Sequence, residues 1–321
     1  MHAVGHQFTP QQAAAVAAAL DLANVPWIEV SHGDGVGGSS FNYGFAAAED
    51  SSYLDAVSKV LVNSRLAILL LPGIGTKTDL QQARDHGAQM VRVATHCTEA
   101  DIAEQHIGLA KSLGMTVVGF LMTAHMISAE DLLVQARLME GYGSDVVYFA
   151  DSAGALLPRD VAERVELLAA ELQRPIGFHS HHNLGMGVAN ALAAADAGAV
   201  YLDGCLLGAG AGAGNAQLEV LVAALERAGY ETGVDLFRTI DAATNVLAPL
   251  LRRPQIIDGA SLMLGYAGVY SSFLLHAEKA AKRYEIDARD LLVELGKRKV
   301  VGGQEDMIEA VALEMIATRT A

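Results

Sequence analysis

Cysteine is nearly absent. Only Cys97 and Cys205 occur in 321 residues, too few for a disulfide framework or a cysteine-built zinc module, and in keeping with a reducing cytoplasm. Basic residues are also scarce, with 22 Lys plus Arg against 37 Asp plus Glu and a net charge of −15. That balance argues against nucleic acid, whose phosphates need a basic face. It leaves anionic small molecules open, because a local cation or arginine outweighs a distant net charge. No apolar run reaches the roughly 18 residues of a membrane-spanning helix, and the opening MHAVGHQFTPQQ lacks the basic start and apolar stretch of a secretory signal. Hydrophobic residues, by contrast, are plentiful at 52%, enough for a large core.

Short aliphatic runs alternate with Ala- and Leu-rich helical stretches. Strand-like runs begin at Trp27, Leu66, Met90, Thr116, Val146, Pro175 and Ala199, each apolar at its start and polar or Gly-rich at its end. A spacing of about 24–39 residues suits βα units around a parallel sheet. Polar residues at nearly every strand C-terminus favour a (β/α)8 TIM barrel, whose active site lies on that face, over an open doubly wound sheet with one switch point. Seven strands are recognisable rather than eight. The helical segment 9–23 has no strand before it, so we expect a barrel lacking its first strand, through a start placed too far downstream or a barrel open at that position. Ser128 and Thr98, three residues before Asp131 and Asp101, predict helix caps. Residues 1–257 are expected to form the barrel domain, and 258–321 a helical domain laid on it or serving as a docking unit.

The strongest chemical signal is His179-Ser180-His181, followed by His182 and Asn183, at a strand end. Alternate strand residues face the same way, about 6.7 Å apart, so both imidazoles can meet one divalent cation. A pair of hydrogen-bonded core histidines is the plainer reading. A third, carboxylate ligand is expected, from Asp34, Asp151, Asp203 or a segment before Met1. The Gly208–Asn215 run opens a helix in this reading. It lacks the context of a dinucleotide or phosphate loop and reads as a tight rim turn or a helix N-terminus for a carboxylate, with Asn215 in reach of the cation site. His96 and Cys97 face opposite ways and make no nucleophile–base pair. Ser152 fits substrate binding better than attack, since the leading Gly of a nucleophile elbow is missing. His32 and Asp34 read as rim residues.

The motifs HGDGxGGSSFNYGF, LLLPGIGT, VRVATHCTEAD, VGFLMxxHM, HxHHNLxxGVAN, GAGAGNxxLEV, LGYAGVYSSFL and VGGQEDMI, in this order along nearly the whole chain, resemble the 4-hydroxy-2-oxovalerate aldolases. These are divalent-metal pyruvate aldolases of aromatic and steroid catabolism, in the barrel superfamily of hydroxymethylglutaryl-CoA lyase. The resemblance implies His179 and His181 as metal ligands, His2 as catalytic base, Tyr270 as an active-site tyrosine and Ser152 as a substrate contact. It also implies a Thr-Leu-Arg-Asp-Gly segment just before the position of Met1, whose Asp would be the third ligand and whose Arg would stabilise the enolate. Neither stands in this chain, so weak metal retention and little turnover are expected of the 321 residues alone.

The implied cofactor is Mn2+, or Mg2+ or Co2+. The implied reaction is cleavage to pyruvate and acetaldehyde or a longer aldehyde, with Leu69, Leu70 and Leu71 as apolar walls. The implied partner is an acylating acetaldehyde dehydrogenase, docked through the C-terminal helices in a hetero-oligomer. Two alternatives stay open: an acyl-CoA Claisen-type synthase or lyase of the same superfamily, and a catalytically impaired subunit that only docks the dehydrogenase.

Overall fold

The computed structural model describes residues 1–270, 273–301, 304 and 306–320. Seven parallel strands pair strictly in chain order: β1 Trp27–Glu29, β2 Arg65–Leu70, β3 Met90–His96, β4 Thr116–Met122, β5 Val146–Asp151, β6 Ile176–Ser180 and β7 Tyr201–Leu202. Parallel neighbours in sequential order with intervening helices are the signature of a TIM barrel. Among the described residues no pairing joins β7 to β1. The amino group of Met1 is buried beside Cys205 and Glu29, which follow β7 and end β1.

The helical layer closes where the sheet does not. Helices α1 Pro10–Leu22, α2 Asp50–Ser58, α3 Lys77–Asp85, α4 Glu104–Ser112, α5 Ala129–Gly141, α6 Pro158–Glu171, α7 Gly187–Asp196 and α8 Leu218–Arg227 follow the strands round. The segment from α9 Leu236–Asp241 then returns to α1, with Asp235 N donating to Ala23 O at 2.8 Å and an Arg238 guanidinium nitrogen to Leu22 O at 2.7 Å. Thr9 opens α1 with a reciprocal capping box to Gln12, and Pro10 occupies the first turn, where its missing N–H costs nothing.

Strand alternation sorts side chains into two layers. Ile28, Leu66, Ile68, Leu70, Val91, Val93, Val117, Leu121, Val147, Phe149, Ile176 and Phe178 face the helices in one continuous core. Ala67, Met90, Ala94, Val118, Phe120, Val146, Tyr148 and Ala150 fill the barrel interior, with Leu69 and Leu71 beside them. The expected wall of three leucines is thereby corrected. Leu70 points outward and is fully buried under the helices, since three consecutive strand residues cannot share a face.

Ser128 caps α5 as expected, accepting from Asp131 N at 3.1 Å. Thr98 does not cap its helix. It bonds His96 Nδ1 at 2.8 Å, and Gln135 from α5 takes the Ala100 N–H instead. Beyond the barrel, α10 Gly259–Ala267, α11 Leu274–Tyr284, α12 Ala288–Lys297 and α13 Asp306–Thr320 surround a separate apolar core that includes Leu264, Phe273, Leu291, Leu292, Leu295 and Ile308. Ser271 and Ser272 of the LGYAGVYSSFL motif, and Gly302, Gly303 and Glu305 of the VGGQEDMI motif, lie outside the described residues. No helix of the described residues is long and apolar enough to cross a membrane.

Candidate active site

On β6, alternation puts Gly177, His179 and His181 on the interior side and Ile176, Phe178 and Ser180 on the other. Phe178 packs in the outer core, and Ser180 turns away to donate to Gly187 O at 2.8 Å. The rings of His179 and His181 meet edge to face, with centroids 5.4 Å apart. Burial, and then the neighbouring rings of His179 and His2, lower the His181 pKa to about 3. Its imidazole is therefore neutral at physiological pH. The ring is hydrogen-bonded to the Ala211 carbonyl, while Nδ1 is buried with no hydrogen-bond partner. A buried ring nitrogen left bare is costly unless something fills it.

The neighbouring histidine and asparagine of the motif do structural work. His182 Nδ1 accepts from Gly187 N at the start of α7. Asn183 ties the Ala153 carbonyl to the Ala213 N–H, at 2.9 and 2.8 Å.

The Gly-rich run is a turn closed on itself and on β6. Asn215 N bonds Gly208 O at 2.9 Å, and His182 N bonds Gly214 O at 2.8 Å. A Cβ on Gly214, at φ +95°, would sit 2.0 Å from Gly208 O, so only glycine fits there. The run was expected to open a helix. It does not, because Gly208–Asn215 is occupied by this turn and α8 starts only at Leu218. Asn215 forms a bridge with His181. Its Nδ2 donates to Cys205 Sγ at 3.2 Å, and its Oδ1 is a buried acceptor with no donor.

Two of the three carboxylates considered as third ligand, Asp203 and Asp151, have other occupations. Asp203 Oδ1 accepts from Tyr148 OH at 3.1 Å, and its Oδ2 takes Arg92 and, at 2.9 Å, His179 Nδ1. Asp151 is fully buried and accepts from the backbone of Ala155 and Leu156 at 3.0 and 2.9 Å. Asp34 stands near the histidines of the N-terminal turn. There, among the described residues, the ligand atoms of His2, His6 and Asp34 lie within 4.8 Å of one another.

His6 stacks on His32 at 3.7 Å and receives the edge of His2 at 4.9 Å. His32 Nε2 bonds Gly44 O at 3.0 Å. His2 donates to the Gly33 carbonyl, which leaves its other nitrogen as an acceptor. Burial, with the nearby amino terminus and His32, lowers its pKa to about 4, and burial with His2 and His32 takes His6 to about 3.

Ser152 is buried, and its Oγ accepts from Thr123 N at 2.9 Å. Tyr270 is half-buried against the C-terminal core. The Cys97 thiol, pushed up by burial to about 11, is protonated and no nucleophile.

One feature escaped the sequence reading. Arg92 lies across the barrel floor over Phe120, 4.6 Å from its ring centroid, and bonds both Glu29 and Asp203. A charged residue inside the apolar strand run MVRVATH was its signal, since a mid-strand arginine on the interior face demands acidic partners.

Comparison with known proteins gives the family. The HMGL-like family model matches residues 1–246, and the DmpG-like communication domain matches residues 255–317. The 4-hydroxy-2-oxovalerate aldolase of Carboxydothermus hydrogenoformans is 61% identical over 315 residues, covering 98% of this chain and 94% of that one. The protein of the same name from Pseudomonas putida is 56% identical over 321 residues, covering 99% and 93%. The chain belongs to the 4-hydroxy-2-oxovalerate aldolase family.

Solved structures extend the fold beyond that aldolase family. The N-terminal domain of a putative aldolase from Bacteroides vulgatus superposes with a TM-score of 0.71 at 22% identity, covering 84% of this chain and 90% of that one. The hydroxymethylglutaryl-CoA lyase of Bacillus subtilis gives 0.67 at 20%, covering 78% and 91%. At such identities the likeness speaks to architecture alone.

Proposed function

We propose that the protein cleaves 4-hydroxy-2-oxoacids, 4-hydroxy-2-oxovalerate among them, into pyruvate and an aldehyde, with His179 and His181 holding a divalent cation, Mn2+ in the first instance. The observation that carries this reading is the buried, partnerless Nδ1 of the neutral His181 beside His179 on one strand face. Neutral imidazoles suit a borderline cation that also takes oxygen ligands, and the unpaired Oδ1 of Asn215 lies next in space. A bound divalent cation supplies Lewis-acid stabilisation of charge developing on the substrate's oxygens.

The protein's own groups do the rest. His2, neutral with one bare nitrogen, takes the proton of the C4 hydroxyl as the C3–C4 bond breaks. Leu69 and Leu71 offer an apolar wall to the aldehyde chain. Ser152 and Tyr270 orient the substrate. The C-terminal helices, which match a communication domain, dock an acylating aldehyde dehydrogenase that consumes the aldehyde.

The experiment is pyruvate release from 4-hydroxy-2-oxovalerate by the protein. Release is expected to require Mn2+, to stop with a chelator and to be lost in H181A. Absence of release with Mn2+ present, or release indifferent to chelation, contradicts the reading.

A further inference from the structure

A continuous polar chain crosses the barrel from β1 to β6. Glu29 holds Arg92 with a 3.0 Å contact, Arg92 holds Asp203, and Asp203 Oδ2 meets His179 Nδ1 at 2.9 Å. Arg92 donates to one oxygen of Asp203 and Tyr148 OH to the other, so the group sits as a carboxylate paired with a guanidinium. An ionised carboxylate only accepts. The proton in the contact therefore belongs to Nδ1 of His179, which in the neutral ring makes Nε2 the nitrogen that carries the lone pair.

The position of that carboxylate is over-determined. Tyr148 OH fixes its other oxygen. Arg92 is wedged over the Phe120 ring, whose centroid is in turn 6.0 Å from that of His179. Gly177 leaves room for this arrangement, because a Cβ there would fall 2.0 Å from the Tyr148 ring. His181 has a counterpart in the Ala211 carbonyl, the acceptor for its ring. Each histidine of the pair thus has one nitrogen anchored and one bare.

We propose that Asp203 is a positioning residue for metal capture: clamped by Arg92 and Tyr148, it locks His179 as the Nδ1–H tautomer and orients Nε2 toward a divalent cation shared with His181. The inference rests on the reading of His179 and His181 as cation ligands. It assigns to Asp203 the outer role that orients a ligand rather than that of a third ligand.

The test uses the protein and Mn2+ alone. In the metal-free unaltered protein, nitrogen-15 NMR of the histidine rings should show His179 protonated on Nδ1. Finding it protonated on Nε2 would overturn the inference without recourse to any variant. In D203N, whose carboxamide can donate to the ring, the Nδ1–H signature should disappear. Mn2+ affinity, read from the free-ion EPR signal, should fall about 10- to 100-fold. D203N with unchanged Mn2+ affinity and an unchanged His179 signal would sink the proposal, while loss of Mn2+ binding in H179A in the same series would leave the metal reading standing. If H179A itself binds Mn2+ as tightly as the unaltered protein, the metal reading fails first and the inference falls with it.

Discussion

Two groups of histidines stand at the same end of this barrel and are built differently. His179 and His181 project from a strand, in register, with one nitrogen of each anchored by Asp203 or Ala211. His2, His6 and His32 come from a short 3-10 turn (His2–Val4), the segment after it and the loop after β1, and are held mainly by stacking on one another. Backbone pairing fixes the first group before any side chain acts. The second is held by ring stacking and by side-chain bonds to loop carbonyls. A strand-built pair suits a fixed cation, and a loop-borne ring suits a base that must approach and leave a proton.

The largest contrast should come from deleting one ring of each group. H181A should lower both Mn2+ affinity and the rate of 4-hydroxy-2-oxovalerate cleavage at least ~100-fold, since a lost ligand costs no less than a lost ligand-orienting partner. H2A should cut kcat by about 10²–10⁴-fold, the usual worth of a general base, and leave Mn2+ affinity intact. Equal losses of metal in both variants would erase the distinction between the groups.

Acid should expose a weakness common to both. The folded-state pKa values of His2, His6 and His181, at about 4, 3 and 3, lie below the unfolded value of about 6.5. Below pH 6.5 the unfolded chain therefore binds more protons, and stability falls as pH drops from 6.5 toward 3, by on the order of several kcal/mol in all. Chemical denaturation between pH 7 and 4 checks this, and a flat profile would contradict neutral burial of the three rings. Over the same interval the acid limb of kcat/KM should lie nearer 4 than 6.5.

A matched pair of glycine substitutions gives the smallest and sharpest test. An added methyl at Gly177 meets the Tyr148 ring at 2.0 Å, and one at Gly33 meets the His2 ring at 2.3 Å. Tyr148 is locked in the core, so G177A should cost about 1–3 kcal/mol. His2 can swing away, so G33A should lower kcat with little change in Tm. Thermal unfolding and steady-state kinetics on both variants separate the outcomes, and a G33A as unstable as G177A would show the loop group to be as rigid as the strand group.

The same division governs what could be read from the sequence. The strands and the barrel follow from aliphatic runs at βα spacing with polar C-terminal ends, and the facing of His179 and His181 from period-two alternation, so all were legible. Alternation also turns Leu70 away from Leu69 and Leu71 and into the outer core, so it cannot be a wall residue. What escaped depends on contacts far apart in the chain. Arg92 finds Asp203 across 111 positions. Gln135 takes a cap that Thr98 was expected to supply. His6 reaches His32 only because the N-terminal turn folds over the loop after β1. The third carboxylate was not readable either, because Asp203 and Asp151 are distinguished from free ligands only by the donors that surround them.

The most direct measurement is anomalous diffraction at the manganese edge from Mn2+-soaked crystals of the protein. A single peak within bonding distance of the ring nitrogens of both His179 and His181 is the expected result. A peak among His2, His6 and Asp34, with none at the β6 pair, would contradict the account.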